Sequence, residues 1–124
     1  MSFSVTVHEL PGLLMVDGSG EATLAHLCGY MNLAAEIATR TRCKRVVLNL
    51  MGVSINLAFT EHLTLGTHAA HQLQGLERAA SAVAPRFRTG TSEKAAQKTG
   101  LRFQTFTTLE EALAWVRADD PRPG

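Results

Sequence analysis

Apolar and polar residues alternate at the start of the chain. Phe3, Val5 and Val7 are set against Ser4, Thr6 and His8, the period of a strand with one buried face. Pro11-Gly12 marks a turn, and residues 13–16 read as a second strand, so the two make an antiparallel hairpin. Asp17-Gly18-Ser19-Gly20 reads as the turn that closes it. The period then lengthens to that of a helix over residues 23–41. Leu24, Leu27, Cys28, Met31, Ala35 and Ala38 share one stripe, and His26, Tyr30, Leu33 and Ile37 form a second beside it. Two stripes are more than a helix packed on one side needs. A neighbouring helix, a partner subunit or a ligand is therefore expected over the second.

Residues 46–50, VVLNL, show almost no alternation, as an interior parallel strand does. Residues 52–56 read as a turn, with Asn56 as N-cap of a second helix running to about residue 73. Phe59, Leu63, Gly66, Ala70 and Leu73 should face the core, and Gly75 should end the helix. Residues 78–84 read as a parallel strand of small residues, followed by a loop over 86–91 and a short helix over 92–98. A last strand spans 102–106, and Thr108-Leu109-Glu110-Glu111 is a capping box opening the final helix. The predicted order is ββαβαβαβα: an α/β domain over residues 1–118 with a five-stranded mixed sheet, then a disordered tail over 119–124. Polar sides on the first and last strands put the helices mostly on one face of the sheet.

Composition narrows the function classes. At 124 residues the chain can bury one core without metal or disulfide staples, and 45% apolar with 19% charged residues is ordinary for a globular protein. A net charge of +1 provides no field for nucleic acid or an anionic membrane. No apolar run approaches the ~18 residues of a membrane span, and the alternating start is unlike a signal peptide. Cys28 and Cys43 have neither zinc-type nor redox-type spacing, which suits a reducing, cytoplasmic setting. The cations Arg40, Arg42, Lys44 and Arg45 follow the first long helix, where they would offset its C-terminal dipole.

The candidate chemistry is sparse. His68 and His71, three apart on one helix, could share a face with Glu61 and Thr64, but no third metal ligand suggests itself. Neither a G-x-S-x-G elbow, nor G-x-G-x-x-G, nor a P-loop occurs. The polar loop with Arg86, Arg88, Thr91 and Ser92 runs into a helix start and is the anion candidate. A buried strand that hands off to a helix places a crevice at the strand's carboxyl end, where open α/β sheets bind ligands. Around that crevice cluster Val53, Asn56, Leu57, Phe59 and Leu65, with Tyr30, Leu33 and Ile37 from the first helix. They are candidates to line a ligand cavity or to form a self-association surface.

Three strings carry a family resemblance: VVLNLMGVSI followed by a helix, LERAASAVAP, and GLRFQTFTTLEEALAWV. In this order of elements the chain resembles the STAS family, in particular its SpoIIAA-like branch. The resemblance implies a SpoIIAA-like fold and a non-enzymatic, cofactor-free module that binds a protein partner or a small apolar ligand, expected to be a homodimer. In phosphorylated anti-sigma-factor antagonists an acidic residue and a serine or threonine pair open the helix after the central strand. Here Asn56, Leu57 and Ala58 stand at those places, and Thr60 lies a turn deeper. The alternatives are a phosphoregulated antagonist and a metal-dependent enzyme using the His68/His71 face.

Overall fold

The computed structural model describes residues 3–98 and 100–118, the side chain of Ser92 aside. The tail expected at 119–124 lies outside the described residues. The opening alternation becomes the antiparallel pair β1 (Ser4–Leu10) and β2 (Leu13–Ala22). After α1 (Leu24–Thr41) come β3 (Arg45–Ile55), α2 (Phe59–Gln72) and β4 (Arg78–Val83). A 3-10 turn (Pro85–Phe87) leads to α3 (Thr91–Gln97), β5 (Phe103–Phe106) and α4 (Leu109–Arg117). The α/β class and the element order agree with the expectation. One five-stranded mixed sheet runs β1-β2-β3-β4-β5, antiparallel at the first pair and parallel thereafter.

The central strands are longer than their apolar runs, and this corrects two expected turns. Ser19, Gly20, Glu21 and Ala22 pair in parallel with Gly52, Val53, Ser54 and Ile55, past a register shift between Asp17 and Ser19. Gly18 is a packing glycine rather than a turn residue. A Cβ there would lie 3.1 Å from the Phe3 ring and 3.2 Å from the Val53 side chain. Alternation could not reveal this, because glycine and serine carry little hydrophobic signal whichever way they point.

Two helix starts are also corrected. The N-cap of α2 is Ala58, not Asn56, and the Glu61 carboxylate accepts the Ala58 N–H at 2.9 Å in place of a side-chain cap. The short helix expected over 92–98 is α3, which starts at Thr91 with Gly90, at φ +76, as its N-cap. Glycine takes that left-handed conformation without a Cβ penalty.

Helices α1, α2 and α3 pack on one face of the sheet, over Leu14, Val16, Val46, Leu48, Leu50 and Val53. On the other face, among the described residues, only α4 packs, setting Ala112 and Val116 against Val47, Ala80 and Ala82. The first part of the second stripe of α1, His26 and Tyr30, meets the hairpin rather than a neighbouring helix. Tyr30 is 2% exposed, and its hydroxyl donates to the Val16 carbonyl at 2.5 Å. The Phe3 ring meets Tyr30 edge-on at 5.9 Å and stacks on His26 at 5.6 Å.

One cation of the basic cluster, Arg45, serves a different helix from the one expected. Arg45 donates to the Val116 and Ala118 carbonyls at 2.6 and 2.9 Å, at the C-terminus of α4. Buried Arg78 donates to the Trp115 carbonyl at 2.5 Å and lies 5.0 Å over the Trp115 ring. Arg40 stays with α1, paired to Glu36 at 2.9 Å, and Arg42 is the C-cap of that helix, its N–H donating to the Ala38 and Thr39 carbonyls. No described helix is long and apolar enough to cross a membrane.

Candidate functional site

The carboxyl end of β3 and the first turns of α2 form the candidate site. β3 is buried on both faces, so its direction is set by the core, and residues 56–58 step from its end into α2. Of the residues expected there, Val53 and Leu65 belong to the core, at 2% and 6% exposure. Leu57 is half-buried against that core, whereas Asn56 is exposed. Phe59 is 68% exposed and Leu63 39% exposed.

Helical spacing puts Phe59 and Leu63 on the core stripe, but the residues of α2 that meet the core are Leu65, Gly66, Ala69 and Ala70, with Leu73 at its C-cap. Four residues apart, Phe59 and Leu63 are neighbours on the outer flank and make one apolar knob. Leu63 is the functional candidate that the pattern of the sequence concealed, because a wheel drawn from an approximate start places it inward. On α1, Tyr30 is a core residue, Ile37 is half-buried and Leu33 remains 38% exposed. The expected continuous stripe from α1 does not exist.

Between α1, α2 and the sheet lies a small cavity of about 60 Å³, lined by Leu27, Met31, Ile55, His62, Leu65 and Phe103 among others. Typical small-molecule pockets run from roughly 300 to 1,000 Å³, so this cavity has room for a few water-sized groups and no lipid chain. Burial holds the His62 imidazole below its ordinary pKa, with adjacent Glu61 opposing the shift. A larger open cleft of about 540 Å³ lies at the other end of α2, around His71, Gly75, Leu76, Glu77 and Leu101. It is remote from the expected crevice, whose own open cleft of about 490 Å³ is lined by Ala22, His26, Ser54, Asn56, Leu57 and Glu61 among others.

The anion candidate is largely self-neutralised. Arg88 donates to the Glu93 carboxylate at 3.3 Å, and Arg86 lies 4.8 Å over the ring of its own neighbour Phe87. Thr91 spends its N–H on the Thr89 hydroxyl at 3.3 Å. Nor does the structure assemble the histidine face. Glu61 caps the start of α2, while His68 Nε2 shares a hydrogen bond of 2.7 Å with Asn32 Oδ1 on α1. Among the described residues no three His, Cys, Asp or Glu side chains group so as to hold a metal ion.

The sequence matches no family model and no curated protein. Solved structures do match. An anti-sigma factor antagonist from Mycobacterium paratuberculosis superposes with a TM-score of 0.61 at 20% identity, covering 94% of this chain and 96% of that one. The antagonist SpoIIAA in its unphosphorylated form gives 0.54 at 15% identity, over 94% of this chain and 100% of that one. An uncharacterised protein from Shewanella loihica, described as SpoIIAA-like in fold, gives 0.53 at 15% identity, over 92% and 93%. The chain has the SpoIIAA-like, STAS fold. Within that fold the helix after the third strand starts at Ala58-Phe59. Neither Leu57 nor Ala58 offers a hydroxyl, and exposed Thr60 is the first that does.

Proposed function

We propose that this chain is a non-catalytic STAS-type regulatory module that binds a protein partner through the Phe59–Leu63 knob beside Asn56. The observation that carries the reading is the 68% exposure of Phe59 in the first turn of α2, just past the carboxyl end of β3. Burying such a ring stabilises a complex by roughly 1.5–3 kcal/mol, and aromatic residues are the usual anchors of protein interfaces. Thr60 and Thr64 beside the knob supply a polar rim. Two of the matched structures are anti-sigma factor antagonists, so an anti-sigma factor is the first partner class to test. The alternative of a small apolar ligand is disfavoured at the strand-end crevice because its open cleft of about 490 Å³ is lined largely by polar residues, among them Glu21, His26, Ser54, Asn56 and Glu61.

The test titrates each anti-sigma factor of the source genome against the wild type and the Phe59→Ser variant by calorimetry. A partner that binds the wild type should lose roughly 30-fold or more in affinity, as for an interface hot spot, with thermal unfolding unchanged. Equal affinity of the two proteins would refute the assignment. The phosphoregulated alternative predicts a phosphate at Thr60. An unshifted intact mass after incubation with a kinase that binds the chain would end it.

A further inference from the structure

The two edges of the sheet are treated differently. On β5 the outward-facing backbone groups are taken up by side chains. Gln97 Nε2 donates to the Phe103 carbonyl at 2.7 Å, and Glu93 Oε2 accepts the Thr105 N–H at 2.5 Å. Arg88 Nε adds a 3.5 Å contact to the Thr105 carbonyl. This edge is four residues long and closed. β1 is seven residues long, and among the described residues no group bonds to its outer backbone edge. It also lacks the usual protections. Ser4–Leu10 contains no proline, lysine or arginine, and it opens with the strand-forming run Ser-Val-Thr-Val. His8, the residue best placed to obstruct the edge, is drawn over β2 by the Asp17 carboxylate at 2.9 Å.

We propose that this open edge pairs with β1 of a second copy of the chain, antiparallel across a two-fold axis, joining two five-stranded sheets into one. The strand is self-complementary in one register. With Thr6 opposite the partner's Thr6, Val5 falls opposite the partner's Val7 and Val7 opposite the partner's Val5. Both valine pairs lie on the helix-covered side, where Val5 and Val7 are half-buried against the core. On the open side Ser4 meets the partner's His8, and at the ends Glu9 meets the partner's Phe3. Like charges oppose nowhere, and β-branched pairs with Thr–Thr pairs are among the favourable cross-strand combinations. A two-fold interface requires this kind of self-match. The β1 edge and the α2 knob are separate surfaces, so the dimer does not depend on the partner reading.

Thr6 is exposed on the sheet's open side and sits at the proposed axis, so a charge there meets its own copy. Sedimentation equilibrium of the wild type at high micromolar concentration should give a dimer. Thr6→Lys and Thr6→Glu should each weaken it about tenfold or more, with circular dichroism and thermal unfolding retained. Mixing the two variants should restore a dimer that native mass spectrometry identifies as one chain of each. Phe59→Ser should leave the dimer intact. The proposal is overturned by a monomeric wild type, which would leave the edge to a strand of another protein. It is equally overturned if both Thr6 variants stay dimeric, or if the mixture fails to pair.

Discussion

Replacing Tyr30 with phenylalanine separates a structural residue from a binding one. In the folded chain the Tyr30 hydroxyl donates to the Val16 carbonyl at 2.5 Å, and both residues are essentially inaccessible, at 2% and 0%. Phenylalanine keeps the ring and its packing on Phe3, so no cavity is added. What is lost is one hydrogen bond, with the carbonyl left dry in the core. A net hydrogen bond contributes about 1 kcal/mol and an orphaned buried acceptor raises the cost towards ~3 kcal/mol. The β-ladder still engages Val16, so about 1–2 kcal/mol is expected. For a domain of this size that lowers Tm by roughly 3–8 °C.

The alkaline limb supplies a second readout. Burial first, and the Asp17 carboxylate second, hold the Tyr30 phenol well above its ordinary pKa. The folded state therefore keeps a proton that the unfolded state releases near pH ~10. Above that pH the unfolded chain binds fewer protons, so stability falls as pH rises. Tyr30→Phe removes this component, and its deficit relative to wild type should shrink as pH climbs from neutral past ~10. Urea unfolding at neutral and alkaline pH measures both effects. An unchanged stability combined with weakened partner binding would refute the reasoning and return Tyr30 to the site.

Gly18→Ala should destabilise by about 1–3 kcal/mol through overpacking, since the new methyl would press on the Phe3 ring and Val53; chemical denaturation measures it. Arg78→Met should cost roughly 1–3 kcal/mol, because the Trp115 carbonyl loses its donor and the ring its cation. The single tryptophan makes fluorescence the direct assay of α4 docking. His62 is held below its ordinary pKa chiefly by burial, so the unfolded state takes up a proton that the folded state refuses. Stability should fall as pH drops below ~6.5. His62→Gln should flatten that limb of the thermal-unfolding profile, and an unaltered profile would show that another group governs it.

The sequence by itself determined the element order, the hairpin, the parallel crossovers and the interior position of residues 46–50, because hydrophobic period and capping chemistry are local properties. It also placed Asn56, Leu57 and Ala58, none of them acidic or hydroxyl-bearing, between β3 and the first turn of α2. Tertiary structure alone decided where strands extend through residues without hydrophobic signal, as at Gly18, where the demand comes from Phe3 and Val53, and at Gly52, which pairs with Ser19. It decided that Arg45 and Arg78 serve the C-terminus of α4, a helix more than thirty positions later in the chain. It decided as well that Tyr30 is core while Phe59 and Leu63 are surface. A helical wheel specifies which residues share a face. Only packing against the sheet and the hairpin specifies which of those faces loses its water.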